Sequence, residues 1–403
     1  MHTLSFCVAV VVVGLGGQAV AGIINVPGDQ PTIQAGVDAA VDGDEVVVAD
    51  GVYTGAGNRT INTGTKLITV RSAGGPGACV IDCEAQDYAF VVSGGARVEG
   101  FTVRNGQGTF GGAMFIDGDA TVVDCVFEQC TADGGGALFV LGSSPTIIGC
   151  TFVGNRAQVN DGGALYNLYG SPVLVDCLMV DNSAAQLGGA IFSDLAFLSL
   201  VNCTLSGNAA FGGGAICNYA GVEMGLSNCI VWNNHADTGE GFSVQILSTS
   251  STENIDYTCV QDIGGAVQGQ GNIDADPLFV DPANGDYHLQ ANSPLIDAGH
   301  NWAIAGIADT DLDGNPRFAD DPATVDTGCG VPIIVDMGAY EFQGSPATVK
   351  LGDIDGDGVV AVPDLLTLLA AWGPASGCQL ADFDLDGLVG VPDLLVLLAN
   401  WTA

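Results

Sequence analysis

The middle of this chain repeats itself every 24 to 27 residues. Two markers carry the repeat, a cysteine and the tripeptide Gly-Gly-Ala, and they keep nearly the same phase over five copies. The repeat cysteines are Cys125, Cys150, Cys177, Cys203 and Cys229. The alanines that end the tripeptide are Ala113, Ala137, Ala164, Ala190 and Ala215. A period of this length with two phased markers predicts a solenoid in which each copy forms one coil.

The content of each copy favours strands over helices. A period near 26 also suits leucine-rich repeats, but their Leu-x-x-Leu-x-Leu frame is missing. Each copy instead holds short alternating strands between turns that contain glycine or asparagine. Glycine makes up 60 of the 403 residues, and each one inside a helix would cost about 1 kcal/mol. We therefore predict an all-β fold, a parallel β-helix whose coils lie about 4.8 Å apart.

Equivalent side chains of successive coils should stack in ladders. The residues two places after the repeat cysteines are apolar, and they are Phe127, Phe152, Met179, Leu205 and Val231. The residues five places after the cysteines are Cys130, Asn155, Asn182, Asn208 and Asn234. We predict that the cysteines and the apolar residues point inward. The asparagines should form a ladder at a turn, with their side-chain amides paired from coil to coil.

The stacking also bears on the state of the cysteines. Neighbouring ladder cysteines have Cα atoms at an acceptable distance for a disulfide, but their Cβ vectors run parallel, which gives poor sulfur geometry. We therefore expect mostly buried free thiols. The alternative is a disulfide framework, with Cys79 and Cys83, Cys125 and Cys130, or Cys329 and Cys378 as the pairs.

The N-terminal residues 1–21 have the pattern of a signal peptide. An apolar run over 4–17 is too short to span a bilayer, and Ala19-Val20-Ala21 has the small-x-small form of a cleavage site. No later segment is long and apolar enough to be a transmembrane segment. We expect a secreted protein. The net charge of -38 argues against nucleic acid and anionic membranes as partners.

The region after the signal peptide predicts a short helix followed by the first coils. Proline at position 31 and apolar residues at helical spacing up to Ala40 indicate one amphipathic helix that caps the open end of the solenoid. The stretch 31–53, with Thr-Ile-Gln, Gly-Asp-Glu-Val-Val-Val and Gly-Val-Tyr, resembles the start of right-handed parallel β-helix proteins of the pectin-lyase-like superfamily. The resemblance implies a right-handed solenoid.

The end of the predicted solenoid carries a second set of motifs. These are 276–280 (DPLFV), 293–299 (SPLIDAG), 311–317 (DLDGNPR) and 336–341 (DMGAYE). Together they resemble the choice-of-anchor Q domain, which closes secreted bacterial β-helices. The two resemblances cover about residues 22–343 and describe architecture rather than chemistry.

Two copies of a twelve-residue acidic loop follow a short linker at 344–349, and each runs into an apolar helix over 365–372 or 394–401. The copies are offset by 29 residues. Carboxylates at loop positions 1, 3, 5 and 12, glycine at 6 and a backbone carbonyl at 7 are what calcium needs. The predicted ligands of two calcium ions are Asp353, Asp355, Asp357, Val359 and Asp364, and then Asp382, Asp384, Asp386, Leu388 and Asp393.

Two loop-and-helix units of this kind resemble a type I dockerin over residues 350–403, a small α-helical calcium-binding domain. The resemblance implies a cohesin-like surface protein as partner, with contacts at Val362, Pro363, Val391 and Pro392. Because the two halves are nearly identical, it also implies docking in either of two orientations. The apolar Val-Pro pairs differ from the polar pairs often found there. A third acidic run, 309–314, reaches Asp320 at position 12, but Pro316 and Arg317 interrupt it.

The solenoid has few of the groups that polysaccharide-cleaving β-helices use. Lyases of the superfamily abstract a proton with Arg or Lys, and only Arg97, Arg104 and Arg156 lie on well-marked coils. The Gly-His-Gly and Arg-Ile-Lys tripeptides of polygalacturonase-like hydrolases are absent, and the histidines His235, His288 and His300 are scattered. Four aspartates on neighbouring coils are candidates for a shared acidic groove, and they are Asp161, Asp176, Asp181 and Asp194.

The sequence thus predicts an extracellular binding or surface-assembly protein that contacts glycans and docks through its C-terminal domain. Its solenoid is expected to span residues 22–343 and its dockerin-like domain residues 350–403. The alternative is a polysaccharide lyase or glycoside hydrolase that acts on acidic polysaccharide and is delivered to a complex by the same domain. No catalytic residue is assigned.

Overall fold

A computed structural model describes residues 21–221, 223–264, 269–304, 309–321, 323–330, 333–344, 352, 354, 359–374, 381–383 and 388–402. The signal peptide up to residue 20 and the linker from 345 lie outside these residues, as do five of the predicted calcium ligands. Those ligands are Asp353, Asp355, Asp357, Asp384 and Asp386.

The repeats form a solenoid of about nine coils. Four parallel sheets run along it, and each full coil contributes one strand in turn to sheets 1, 2, 3 and 4. The register follows the sequence repeat, because Val122 pairs with Val98 of the preceding coil and with Ile147 of the next. The predicted parallel β-helix is confirmed.

The strands follow one another along each sheet in chain order. Sheet 1 consists of Ile23–Val26, Glu45–Val48, Thr69–Ser72, Arg97–Glu99, Thr121–Val123, Thr146–Ile148, Val173–Val175, Phe197–Val201, Glu223–Ser227 and Thr252–Asp256. Sheet 2 consists of Gly51–Tyr53, Cys79–Asp82, Thr102–Arg104, Val126–Glu128, Thr151–Val153, Leu178–Val180, Thr204–Ser206, Ile230–Trp232 and Cys259–Val260. Sheet 3 consists of Gln107–Phe110, Thr131–Gly134, Arg156–Ala157, Ser183–Ala184, Ala209–Ala210 and His235–Ala236. Sheet 4 consists of Ile61–Asn62, Phe90–Val92, Met114–Ile116, Leu138–Leu141, Leu165–Leu168, Ile191–Asp194, Ile216–Tyr219 and Ile246–Thr249.

The inward ladders build the core, as predicted. The five apolar residues that follow the repeat cysteines are fully buried, and the first two stack with ring centroids 5.0 Å apart. The repeat cysteines are buried free thiols. Each donates to the carbonyl two residues earlier, as Cys177 Sγ does to Val175 O at 3.3 Å. Burial in this apolar core keeps the thiols away from water and from oxidants.

Ten cysteines of the described residues are free and buried, which agrees with the expectation of mostly free thiols. Cys79 and Cys83 are unbridged, as are Cys125 and Cys130, so these two alternative pairs are wrong. Cys329 is disulfide-bonded, and its partner lies outside the described residues.

The Gly-Gly-Ala marker turns the chain from sheet 3 to sheet 4. In one copy Gly162 has φ +68°, the left-handed region in which glycine is favoured. A Cβ on the following Gly163 would lie 2.0 Å from the carbonyl oxygen of Gly189 in the next coil. Both glycines are therefore required, the first by the backbone angle and the second by the close approach of the next coil.

The first helix, α1 (Ile33–Ala39), lies within the predicted region 31–40. Thr32 Oγ1 accepts from Ala35 N at 3.2 Å at its start. Lys66 Nζ donates to the carbonyl of Ala40 at 2.8 Å just beyond its end, where a positive charge is favourable. Gly36 allows the helix to approach Val46 of sheet 1. Its role as a cap of the solenoid stays a prediction.

The described residues between 276 and 344, which we call the closing segment, pack against sheet 2. The segment contains the antiparallel pair Phe279–Asp281 and Asp286–Leu289, a 3-10 turn at Pro282–Asn284 and the short helix α3 (Asn301–Ile304). A second short helix, α2 (Phe242–Gln245), lies earlier, within the solenoid. Buried residues of both partners form one apolar cluster that includes Leu178, Ile230, Leu295 and Met337.

The C-terminal region has its own small core. Helices α4 (Val362–Ala370) and α5 (Val391–Ala399) contact each other, and Gly373–Pro374 pairs antiparallel with Leu388–Val389. Each helix begins three residues before the predicted start and ends two residues before the predicted tryptophan. The early start has a physical cause, because an aspartate in the first turn accepts from the backbone N–H of the residue before the helix.

Candidate functional site

A row of aromatic side chains runs along the outer face of sheet 4. In the strand Met114–Ile116 the first and last side chains point into the core, so the middle residue, Phe115, points outward. Because the coils are in register, the next coil places Phe139 beside Phe115. The two coils after that place Tyr166 beside Phe139 and Phe192 beside Tyr166. With two neighbouring rings, the members of this aromatic row are Phe110, Phe115, Phe139, Tyr166, Phe192 and Tyr219.

The rings of the aromatic row contact one another from coil to coil. Centroid distances are 5.5 Å between Phe115 and Phe139, 5.3 Å between Phe139 and Tyr166, and 4.9 Å between Tyr166 and Phe192. Phe110, from the end of a sheet 3 strand, lies 4.7 Å from Phe139. These spacings lie within the range of favourable aromatic pairs. The row is therefore a continuous line of contacting rings across several coils.

Exposure divides the row into supporting and accessible rings. Phe139 and Phe192 are buried between their neighbours, each with 4% of its surface exposed. Phe110 and Tyr219 are exposed at 37% and 46%, and Phe115 and Tyr166 are half-buried. A cleft of about 590 Å³ lies at the Phe110 end. Polar side chains share its wall with Phe110 and Phe115, and they are Gln86, Asp87, Thr109, Gln107 and Asp133.

Two of the four candidate aspartates lie beside the aromatic row. Asp161 Oδ1 accepts from Leu187 N at 2.9 Å, and Asp194 follows Phe192 on the same strand. Burial raises the pKa of both carboxyls, and the charge of Asp194 raises that of Asp161 further. Burial and these two carboxylates together raise the pKa of Tyr166 to about 12. The pair thus forms an acidic patch next to the phenol ring.

The other two candidates lie elsewhere, so the expected groove of four aspartates does not form. Asp176 is buried against Arg317 of the closing segment. Asp181 lies near Tyr287, also in that segment, and burial together with the charge of Asp181 raises the pKa of Tyr287 to about 12. The reason is the coil geometry, because the four positions fall at different points of the repeat and therefore at different corners of the solenoid.

The arginines proposed for lyase chemistry are mostly held in ion pairs. Arg97 pairs with Glu99 and Arg104 with Asp82, at 2.6 and 2.9 Å. Among the described residues, Arg156 is the one arginine with no carboxylate within salt-bridge distance. It is exposed on sheet 3.

The three histidines of the solenoid and closing segment lie outside the aromatic row. His235 is exposed beside Asp237, and His300 stacks on Tyr257 with centroids 5.0 Å apart. His288 lies between Asp286 and Asp313, at 2.7 and 2.8 Å. These contacts fix surface and closing-segment side chains, and they bring no histidine to the acidic patch.

The described predicted calcium ligands occupy equivalent places in the two halves of the C-terminal region. Asp364 and Asp393 are both fully buried. Asp364 accepts from Ile354 N and Ala361 N, both at 2.7 Å, and Asp393 accepts from Phe383 N and Gly390 N at 2.6 and 2.8 Å. Asp382 is buried, whereas Val359 and Leu388, expected to supply carbonyl oxygens, have exposed side chains.

The predicted docking residues are exposed on the helices. Val362 and Val391 have 57% and 59% of their surface exposed, and Pro363 and Pro392 beside them are exposed as well. The apolar surface continues along each helix with leucines at equivalent positions, so that both halves present the same row. The full set is Val362, Leu366 and Leu369 in α4, and Val391, Leu395 and Leu398 in α5.

The aromatic row was not predicted, although the sequence contains a signal for it. The residue two places after each Gly-Gly-Ala alanine is aromatic in four successive copies, and these residues are Phe115, Phe139, Tyr166 and Phe192. The fifth copy has Cys217 at this place. An alternating strand directly after the turn would have placed these side chains on the outer face.

Among the helices of the described residues, none is long and apolar enough to cross a membrane. No curated protein matches the chain at a significant level. The family model for the right-handed beta helix region matches residues 56–256. The crystal structure of pectate lyase Pel9A is 16% identical with a TM-score of 0.50, over 81% of this chain and 97% of that chain.

A pectin methylesterase from carrot is 11% identical with a TM-score of 0.38, over 68% of this chain and 98% of that chain. At these identities the likeness to the pectate lyase concerns the fold and not the activity. The matched residues 56–256 contain the repeat cysteines, the Gly-Gly-Ala turns and the aromatic row. The chain is a right-handed parallel β-helix with the pectate lyase-like fold.

Proposed function

We propose that this protein is a secreted extracellular binding protein whose solenoid holds polysaccharide chains along the aromatic row. The observation that carries the proposal is the continuous row of rings on sheet 4, with partly exposed members and a cleft at one end. The apolar face of a sugar ring packs on an aromatic ring, and polar groups beside it bind the hydroxyls. A row that follows the solenoid axis suits an extended polymer.

Affinity electrophoresis of the full chain in gels that contain single neutral or acidic polysaccharides tests the binding. Tyr166→Ala should weaken retention on the bound polysaccharide by roughly two- to tenfold, because one aromatic contact is worth about 0.5–1.5 kcal/mol. Phe318→Ala is the matched control, since Phe318 is a partly exposed ring of the closing segment. Equal retention of both variants and the unchanged chain would contradict the proposal.

Cleavage is the second candidate function, and the acidic patch favours a glycoside hydrolase over a lyase. Hydrolysis of a glycosidic bond uses two carboxyl groups, one of them protonated. Asp161 and Asp194 both lie near Tyr166 of the aromatic row, and burial raises the pKa of both. A lyase would need a basic side chain there, whereas the described arginines other than Arg156 are in ion pairs.

Product analysis separates binding from cleavage. If the protein is a hydrolase, reducing ends should appear with the retained polysaccharide and disappear in Asp161→Asn and Asp194→Asn. Asp181→Asn, which removes a charge elsewhere on the solenoid, should cleave normally. Unsaturated uronate absorbance would instead indicate a lyase. Retention without products supports the binding function alone.

We further propose that the C-terminal region is a dockerin-like domain that binds two calcium ions and a cohesin-like surface protein. The donor set fits calcium, because it consists of carboxylates and backbone carbonyls and contains no histidine or cysteine. Calcium would neutralise part of the repulsion among the loop aspartates and so hold each loop against its helix. The equal exposure of Leu366 and Leu395, both 61%, supports two equivalent docking surfaces.

A pull-down from cell-surface extracts with the full chain, with calcium and with chelator, tests the docking. Capture should require calcium. Leu366→Asp or Leu395→Asp alone should leave capture largely intact, since the other half still docks, and the double variant should abolish it. Capture in chelator, or complete loss with one substitution, would contradict docking in two orientations by a calcium-loaded domain.

A further inference from the structure

Three carboxylates meet in the closing segment, away from the C-terminal loops. One oxygen each of Asp297, Asp320 and Asp326 lies within 4.8 Å of the other two. Asp297 comes from one stretch of the segment, whereas Asp320 and Asp326 lie six residues apart in a later one. Asp297 belongs to the SPLIDAG motif, and Asp320 is, in the sequence, only the last position of an interrupted acidic loop. The structure thus brings together carboxylates that no single loop motif connects.

Asp297 provides the observation that goes beyond a cluster of acids. Its side chain is fully buried, and within the described part of the chain no donor forms a hydrogen bond of normal geometry with either carboxylate oxygen; the backbone N–H of Asp321 contributes only a weak interaction. The neighbouring Asp336 is also fully buried, but its two oxygens accept from Asp297 N at 2.8 Å and Phe342 N at 2.6 Å. A buried carboxylate without donors needs a positive partner. Asp297 faces two further carboxylates instead.

The ligand chemistry of the three oxygens fits calcium. Calcium binds oxygens at about 2.3–2.6 Å, so two ligands of one ion can be up to about 5 Å apart. Magnesium is held by fewer carboxylates and keeps several waters, whereas calcium accepts an irregular set of protein oxygens. The cluster contains only carboxylates, which do not favour zinc. We propose that Asp297, Asp320 and Asp326 bind one calcium ion that joins two stretches of the closing segment.

The electrostatics of the cluster agree with this site. Burial and then the neighbouring carboxylates raise the pKa of Asp297 to about 8, and a weaker interaction with the backbone N–H of Asp321 offsets only part of this. Burial and Asp320 raise the pKa of Asp326 to about 6. A proton is therefore the alternative occupant, and calcium has to displace it. Because the cluster links separate stretches of the closing segment, the ion would stabilise the whole segment against sheet 2.

The test uses the full chain with Asp364→Asn and Asp393→Asn, which removes one predicted ligand from each C-terminal loop. Calorimetric titration of this parent with calcium should show about one tight site. Calcium should also raise the melting temperature of the solenoid, followed by near-ultraviolet circular dichroism. Adding Asp297→Asn should abolish both effects. Adding Asp313→Asn instead, which removes a charge from the same segment, should abolish neither.

A chelator arm separates metal binding from general damage to the fold. Without calcium, the chain with Asp297→Asn should melt no lower than the parent, because an amide has no charge to neutralise. Asp326→Asn, at a partly exposed position, should also lose the calcium effect. Failure of the parent to bind calcium would overturn the proposal, as would equal calcium uptake with and without Asp297→Asn. Neither result depends on whether the C-terminal loops bind calcium.

Discussion

At the scale of single residues, one buried arginine attaches the closing segment to the solenoid. Arg317 is fully buried, and its Nη2 donates to Asp176 Oδ1 on a coil 141 residues earlier. Nη1 donates to Gly338 O at 3.1 Å and contacts Glu341 Oε2 at 3.4 Å. The arginine of the DLDGNPR motif and the glutamate of DMGAYE therefore act together in structure.

Arg317→Met should destabilise the protein strongly, because it leaves Asp176 and Glu341 buried without a cation. Loss of one partner of a buried ion pair costs about 3–5 kcal/mol. Chemical denaturation near neutral pH measures the loss. Arg156→Met, at an exposed position without an ion pair, should stay within about 0.5 kcal/mol of the unchanged protein.

The loss should also depend on pH in a defined direction. Burial raises the pKa of Asp176 to about 6 even in the intact protein. Between the ordinary pKa of an unfolded aspartate and this raised value, the folded state binds more protons than the unfolded state. The contribution of Asp176 to the free energy of unfolding therefore falls as the pH rises through that range. Without Arg317 the pKa of Asp176 should rise further. The loss of stability in Arg317→Met, relative to the unchanged protein, should therefore be larger at about pH 8 than at about pH 5. An equal loss of stability at the two pH values would show that the lost charge of Arg317 is not its cause.

At the scale of structural elements, the asparagine ladder holds successive coils in register. Asn182 Oδ1 accepts from both the N and Nδ2 of Asn155 at 3.0 Å, and Asn182 Nδ2 donates to Asn208 Oδ1 at 2.9 Å and to Phe152 O at 3.0 Å. The ladder ends on Gln245 of α2, whose Oε1 accepts from Asn234 Nδ2. Every amide in the middle of the ladder is thus buried and paired, as predicted.

Asn182→Ala should cost at least about 2 kcal/mol, because a buried backbone N–H of Asn155 and a buried carbonyl of Phe152 lose their side-chain partner. Urea denaturation followed by circular dichroism measures the change. Ser183→Ala, one residue further along the same coil, is the control and should change the stability by about 0.5 kcal/mol or less. Equal effects of the two substitutions would show that the ladder contributes little.

The elements also show which parts of the fold were accessible from the sequence. The repeat determined the ladders and the parallel register, because equivalent residues in a solenoid must stack. The corner at which a residue lies depends on turn lengths within the coil, and the four candidate aspartates were misplaced for this reason. Contacts such as Arg317 with Asp176 join distant stretches, and no local pattern reports them.

At the scale of the whole molecule, the architecture separates the proposed tasks. The ladders give a rigid solenoid, its outer face on sheet 4 carries the aromatic row, and the closing segment covers sheet 2. The duplicated C-terminal helices present their own apolar rows. With a net charge of -38, calcium and neutral glycans are the partners that the electrostatics favour over polyanions.

Hydroxyl-radical footprinting of the full chain, with and without the polysaccharide that retains it, tests the binding surface most directly. Phe110 and Tyr219 should be oxidised more slowly in the complex, together with Phe115 and Tyr166. Trp302 and Phe318 serve as internal controls because their exposures, 43% and 38%, are similar to those of Phe110 and Tyr219. We expect unchanged oxidation of these two rings. Protection of the controls, with no protection of the aromatic row, would contradict the proposed function.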